Sequence, residues 1–380
     1  MNNDTFDVIV IGAGPSGLAA AASAGNRGLD VCVLERNDQP ARKIYATGNG
    51  RCNYSNLSAP HSEEVLDAMR TGFGFEPAVE DGRVYPRSFE AASAAELLIS
   101  AAKRAHVKIF CQSRAADVQK NAQGFIVECE GGKKYRSSAL ILACGGKAGI
   151  QYGCTGDGYG IAQKLGHSIV KPIPALDGLC CAQDLQPLHG VRLRAEVKLE
   201  ISENGGEYVI AAKNKGEVQF TKNGISGICV MDLSRYVRLG ENRRFRLLTD
   251  AFPEWSIEEL TALLLRRKKD LGCGLTGMLP EKLTEYLHIV CPAENRNPAG
   301  MALTAKALRF DITGTRGWKT AQVTCGGVSL EEIDDKTFGS LKVPGLFIVG
   351  EITDYDGPCG GYNLNYALYS GLCAGRAVTV

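Results

Sequence analysis

Between Asp7 and Arg36 the chain reads DVIVIGAGPSGLAAAASAGNRGLDVCVLER, two apolar runs joined by a turn in which Gly12, Gly14 and Gly17 are spaced G-x-G-x-x-G. Phe6 to Ile11 is mostly β-branched, as a strand buried on both faces requires. The first glycine permits a tight turn, the second lets backbone approach a pyrophosphate, and the third lets the next helix pack on the strand. Leu18 to Gly28 is an alanine-rich helix. With Pro15 and Ser16 in the turn before it, its N-terminus directs unpaired N–H groups and a positive dipole end at the phosphates. A second strand, Asp30 to Leu34, ends at Glu35-Arg36. The Glu35 carboxylate is placed to accept from both hydroxyls of an adenosine ribose and would repel a 2'-phosphate. The stretch predicts a dinucleotide-binding α/β unit, with NADP disfavoured and both NAD and FAD admissible.

The far end of the chain separates the two. From Val343 to Val378 it reads VPGLFIVGEITDYDGPCGGYNLNYALYSGLCAGRAV: a strand, Leu346 to Val349, closed by Gly350-Glu351, then a glycine-rich turn and a helix starting near Gly361. The N–H groups at Gly361, Tyr362, Asn363 and Leu364 suit the N1/O2 edge of an isoalloxazine, where negative charge collects on reduction. Glu351 stands where a carboxylate can hold ribityl hydroxyls. NAD enzymes need no such C-terminal return, whereas two-part FAD folds do. In between, Leu140 to Ala143 is a third apolar strand closed by Cys144-Gly145-Gly146, small residues that let the chain pass beside the adenosine half.

From about Leu188 the pattern changes to alternation, in VRLRAEVKLEIS, EYVIAAK, VQF and ICVMDL, which predicts a small antiparallel β domain. Helical stretches follow at Ser256 to Asp270, with Ser256 and Glu259 spaced as a capping box, and at Pro280 to Val290. The expected organisation is an α/β fold: a two-part Rossmann-type FAD-binding domain (1–187 and 318–380) with an inserted antiparallel β domain (188–250) and a small helical subdomain (251–317). The insert is expected to wall the free face of the flavin.

Forty-three basic residues against forty-two acidic ones leave no field to draw the chain to nucleic acid or an anionic membrane. The RRKK run, Arg266 to Lys269, reads as the solvated last turn of a helix. No apolar run approaches the roughly 20 residues that span a bilayer, and the expected location is the cytosol. Fourteen scattered cysteines without a Cys-x-x-Cys pair read as free thiols, and the five histidines form no pair at metal-ligand spacing. No metal is expected. A second G-x-G-x-x-G unit is missing too, since Gly156, Gly158 and Gly160 have the wrong spacing, so no dedicated NAD(P)H domain is expected.

The segments RKIYATGNGRCNYSN (Arg42 to Asn56), GRVYPRS (Gly82 to Ser88), TGDGYGIAQKLGH (Thr155 to His167), GEVQFTKNGISG (Gly216 to Gly227) and AQVTCGGVSLEEIDDKTF (Ala321 to Phe338), with the terminal GEITDYDGPCGGYNL, give the chain a resemblance. It resembles the YhiN/BaiN-like FAD-dependent oxidoreductases, also labelled aminoacetone oxidase-like, over nearly its whole length. The resemblance implies that Arg42 and Lys43 meet the pyrophosphate. It also implies that the loop Gly48-Asn49-Gly50-Arg51-Cys52-Asn53 passes by the flavin ring, with Arg51 offering a cation to flavin O4/N5 or to a substrate oxyanion. Asn49 replaces the middle of the family's usual three glycines, and Ser55 to Gly82 is shorter than usual. Ala115 is counted with the cofactor-binding positions. Cys325 and Cys359, like Cys52 and Cys144, read as small residues in tight turns. The implied activity moves a hydride between non-covalent FAD and a small organic substrate. Two forms stay open, an NAD(P)H-driven reductase of a conjugated C=C bond and an aminoketone oxidase using O2. A non-catalytic FAD-bound or tRNA-associated protein is the weaker alternative.

Overall fold

In the computed structural model, which describes residues 4–240 and 242–380, the first apolar run forms the strand Thr5–Ile11 with a parallel partner on each side. Val31–Leu34 lies on one side, Val8 opposite Val31, and Lys134–Leu142 on the other, Ile9 opposite Leu140. Lys108–Phe110 extends the sheet past Val31–Leu34, and the late strand Leu346–Ile348 pairs in parallel with the end of Lys134–Leu142. The start of Lys134–Leu142 instead carries an antiparallel meander, Ala115–Asn121 and Gly124–Cys129. Val8, Ile9, Val10, Val31, Val33 and Leu34 are all buried, which is why these strands read as continuous apolar runs rather than as alternation. Each such side chain contributes about 1.5–3 kcal/mol on burial.

The first helix is Pro15–Gly25, three residues ahead of the expected Leu18, because proline suits the first helical turn, where its missing N–H costs nothing. It packs on the last helix, Tyr362–Ala377, almost backbone to backbone. A Cβ on Gly371 would run into the Ser16 carbonyl oxygen, and one on Gly375 into that of Ala20. The two ends of the chain are thereby joined through small residues.

The chain divides into two compact units, Met1–Ile173 with Val323–Val380, and Pro174–Gln322. The boundaries fall at 173/174 and 322/323 rather than at 187/188 and 317/318, and the β and helical stretches share one unit instead of forming two. The reason is barrel closure. Leu308–Thr315, which follows the helices, pairs with both Arg243–Asp250 and Leu179–Cys181, so six strands form a closed antiparallel barrel whose members flank the helices in sequence. Phe220, Phe245 and Phe310 fill the core, to which the helices Ile257–Leu271, Glu281–Val290 and Pro298–Lys306 add Leu260, Leu283, Leu287 and Ala302. The capping box forms as expected, Glu259 N–H donating to Ser256 Oγ (3.1 Å) and Ser256 N–H to Glu259 Oε2 (2.8 Å).

One expected strand is absent. The ICVMDL run folds as a short helix, Ile228–Met231. Gly227, at φ +104°, turns the chain out of the strand Gly224–Ser226, and its carbonyl accepts from Val230 and Met231. A short apolar run does not tell a strand from a buried helical turn. No helix among the described residues is long and apolar enough to cross a membrane, and none of the fourteen cysteines forms a disulfide.

In the first unit the loop after Val328 is tied down by charge. Glu332 Oε2 lies 3.1 Å from buried His167 Nδ1 and accepts from Ser168 N–H (2.9 Å), while Lys342 Nζ sits 2.6 Å from Glu332 Oε1. Bonding to Lys342 and Ser168 draws the Glu332 carboxyl down from 4.5 to about 2. Burial pushes the His167 imidazole below its ordinary range, opposed by Glu332. A depressed carboxyl stabilises the fold above its unfolded-state pKa and loses that contribution as pH falls through the folded-state value. Glu332→Gln should therefore lower the melting temperature at pH 7, with the deficit shrinking as pH falls below about 4.5. A deficit that does not change across melting curves from pH 7 to pH 4 contradicts this account.

Candidate functional site

The strand Thr5–Ile11 ends at Gly12, whose φ of +105° opens the turn and where a Cβ would collide with the Ala143 carbonyl. Around the site of a Cβ on Gly14, by contrast, no atom lies within 4 Å. The close side packs sheet to helix and the open side leaves backbone available to a ligand. No side chain caps the first helix and no acidic residue stands in its first turn, so no side chain claims the first N–H groups after Pro15. Such an end favours an anion by about 0.3–1 kcal/mol from the dipole alone. Ser16 is buried, its hydroxyl filling the space beside Gly350.

Glu35, 6% exposed at the end of its strand, is held by three donors: Ala13 N–H to Oε2, and Asn37 N–H and Nδ2 to Oε1, each at 2.8 Å. A carboxylate offers about four acceptor positions, so one remains on Oε2 rather than the two expected for a pair of ribose hydroxyls. Asn37 escaped the sequence reading, since nothing in NDQP marks it as a carboxylate clamp. Ser113 N–H donates to the Glu35 carbonyl (2.8 Å), which brings the start of Ala115–Asn121, and with it buried Ala115, near the same strand end.

The cations do not stand free. Arg36 pairs with Asp157 (2.8 Å) and Thr155 Oγ1, and Arg114 holds the same Asp157 at 2.7 Å. Arg42 is exposed and reaches only Asn37 Oδ1 (3.4 Å) and Asp38 (3.9 Å). Lys43 is committed to Glu351, Nζ to Oε2 2.7 Å. Burial alone would push the Lys43 ammonium down, and the adjacent carboxylate more than offsets it, so the amine stays charged. Of the two residues expected to meet a pyrophosphate, Lys43 is thus engaged by Glu351, while Arg42 keeps only long contacts.

Glu351 belongs to a second cluster. Its Oε1 accepts from Thr324 N–H (3.0 Å) and Thr324 Oγ1 (3.1 Å), and Thr324 Oγ1 accepts in turn from Lys147 N–H (2.8 Å) and Ala148 N–H (3.0 Å). Gly146 must be glycine, because a Cβ there would strike both Thr324 and Glu351. Thr324 lies inside a quoted motif, yet its role was not legible: a threonine in a buried strand reads first as a β-branched core residue. Glu351, expected to hold ribityl hydroxyls, joins the strand Val323–Val328 to Lys43, and Thr324 joins that strand to the loop after Gly145; one acceptor position remains on Glu351 Oε2.

The loop before Arg51 takes left-handed backbone at Gly48 (φ +57°) and Asn49 (φ +55°). Asparagine is one of the few side chains that tolerate this region, so replacing a glycine by Asn49 preserves the turn. Gly50, also at positive φ, is open on its Cβ side. The Arg51 guanidinium lies 4.5 Å from the centres of both the Tyr85 and Phe89 rings, with Nη2 2.6 Å from Glu80, a clamp that holds the loop. Cys52 and Cys144 have thiols raised by burial to about 11 and about 12, which suits small space-filling residues and not nucleophiles. Cys325 is buried as well.

Beside this loop the last helix begins at Gly361, φ +101°, again with no side-chain cap and no acidic residue in its first turn. A Cβ on Gly361 would meet the Ser55 carbonyl and come within 2.7 Å of Asn53 Oδ1. That Asn53 oxygen is buried without a hydrogen-bond partner, a state that costs about 1–3 kcal/mol unless a donor arrives from elsewhere. The Asn363 side chain turns away to grip Gly357 N–H (2.8 Å) and carbonyl (2.9 Å), and the Leu364 side chain packs on the core, so what these positions offer at the helix end is backbone. Two uncapped helix ends, a nearly saturated carboxylate at the end of the second strand and an orphaned acceptor fit a dinucleotide carrying an imide-bearing ring.

Comparison with known proteins places this arrangement. The family description "HI0933-like protein Rossmann domain" matches residues 6–73 and 70–377. A 3-dehydro-bile acid delta(4,6)-reductase of Clostridium scindens is 34% identical, covering 97% of this chain and 98% of its own. A ribosomal RNA dihydrouridine synthase of Escherichia coli is 28% identical over 96% of both chains. Among solved structures, a 3-ketosteroid-delta4-(5alpha)-dehydrogenase of Rhodococcus jostii shares the fold, with a TM-score of 0.50, 16% identity and coverage of 98% and 96%. The chain belongs to the HI0933-like family, the YhiN/BaiN-type flavoprotein oxidoreductases whose motifs it carries from end to end.

Proposed function

We propose that the chain binds FAD non-covalently and reduces a carbon–carbon double bond conjugated with a carbonyl in a small organic substrate, using NADH or NADPH as donor. The single observation that carries the cofactor assignment is the pair of uncapped helix N-termini in one unit, one following Gly12–Gly14 and one following Gly361. The reaction rests on likeness to the Clostridium scindens reductase over nearly all of both chains.

Bound FAD supplies a two-electron carrier that accepts a hydride from one partner and hands it to another. On this reading the Gly12–Gly17 turn and the first helix hold the pyrophosphate, and Glu35 Oε2 accepts from one adenosine ribose hydroxyl. The N–H groups of the last helix stabilise negative charge at the pyrimidine edge, and Asn53 Oδ1 accepts from the ring imide. Arg51, Lys43 and Glu351 keep the two loops in place. Saturating uridine is chemically the same kind of reaction as that of the bile-acid enzyme, since both bonds are conjugated with a carbonyl. The near-zero net charge gives this chain no attraction to a polyanion, which favours the small substrate.

Glu35→Ala should weaken FAD retention by about 1–3 kcal/mol, because it removes a ribose acceptor and releases the Ala13 N–H that shapes the turn. Equilibrium titration of the stripped protein with FAD measures this, and an unchanged dissociation constant places the ribose elsewhere. The reaction is tested by anaerobic stopped-flow mixing followed at the flavin band. NADH or NADPH should bleach it and an enone-type steroid should restore it, whereas a uridine-containing RNA and an α-aminoketone should do neither. Restoration by the RNA alone moves the substrate to nucleic acid. Rapid bleaching by the aminoketone, with peroxide formed on admitting air, makes the protein an amine oxidase.

A further inference from the structure

The first unit also contains a cavity of about 250 Å3 whose lining shares no residue with the cofactor cradle. Its wall is aromatic. Tyr369 stacks on His61 (ring centres 4.0 Å apart, planes 6° apart), Tyr366 stacks on Tyr355 (3.8 Å, 13°), and Phe338 meets Tyr366 and Tyr369 edge-on at 5.8 and 5.9 Å. His61 reaches its position through left-handed backbone, φ +57°, unusual for a residue with a side chain. Asn365 Nδ2 donates to the neighbouring Pro60 carbonyl (2.7 Å) and fixes that corner. The opposite rim belongs to the loop that Glu332 ties to His167 and Lys342.

The charge at this cavity has one sign. Asp334 and Asp335 line it, and no lysine or arginine does. Asp334 Oδ1 is occupied by its own loop, accepting from Thr337 N–H (2.8 Å) and Oγ1 (2.7 Å). Asp335 is exposed, and among the described residues no hydrogen bond or ion pair engages it. An anion would meet two carboxylates here, and a neutral apolar guest would gain nothing from Asp335, which water solvates. A cation with apolar substituents satisfies both features, attracted by the ring quadrupoles and by the carboxylate.

We propose that this cavity is a binding site for a small organic cation, an alkylated ammonium seated among Phe338, Tyr366 and Tyr369 with Asp335 as counter-charge. The site is separate from the reduction chemistry and does not depend on it. The test compares choline with its neutral isostere 3,3-dimethylbutan-1-ol by ligand-observed NMR titration. It uses the purified protein with its cofactor bound, at pH 8. Choline should bind saturably and at least about tenfold more tightly than the alcohol. Asp335→Asn, at an exposed position that leaves folding intact, should weaken choline about threefold. Tyr369→Leu should weaken it further at unchanged cofactor content. Equal affinity for the two probes, no saturable choline binding, or choline binding unmoved by Asp335→Asn each overturns the proposal.

Discussion

The close crossing of the first and last helices is the constraint on which the rest of the first unit depends. Gly371 and Gly375 bring the last helix onto the Ser16 and Ala20 carbonyls, and Gly350 leaves room for the Ser16 hydroxyl. Residues more than three hundred positions apart in sequence are held at one place by backbone contact. Because Leu346–Ile348 then joins the sheet beside Lys134–Leu142, the turn after it is delivered to the same end of the parallel strands as the turn after Thr5–Ile11. Ligands of open parallel sheets bind at that end. Both helices start there without caps, a state that a folded protein tolerates where a ligand or solvent completes the hydrogen bonding.

Charge is distributed accordingly. Arg36, Lys43 and Arg51 each have a carboxylate within 2.8 Å, so their cations brace loops. Partly exposed pairs of this kind contribute little to stability, about 0–1 kcal/mol each. Their value lies in fixing where backbone donors point. The exception in kind is Glu35, whose burial requires its three N–H donors and whose remaining acceptor position is the specific polar feature of the nucleotide turn.

The parts of this arrangement that local chemistry dictates were legible in the residues. G-x-G-x-x-G, the buried strand and the acid at its neighbour's end each follow from short-range geometry, and so does the capping box at Ser256. What escaped depends on distant partners. Thr324 became a hub because Gly146 lets its hydroxyl approach Lys147 and Ala148, a contact across 176 positions in one case. The clamp on Arg51 was not legible because its partners, Glu80, Tyr85 and Phe89, lie 29 or more positions further along the chain. The barrel took its closing strand from the far side of three helices, and no periodicity within 188–250 could show that. ICVMDL failed for the opposite reason: the deciding residue was the neighbouring Gly227, outranking the apolar pattern.

The central claim is that two helix ends in one unit grip the two halves of a single dinucleotide. Native protein purified without added cofactor, then heated or acidified, releases whatever small molecule those ends hold, and chromatography with mass detection identifies it. The account requires FAD at close to one per chain, with no flavin left attached to the protein. Release of FMN, of NAD, or of no nucleotide would contradict it.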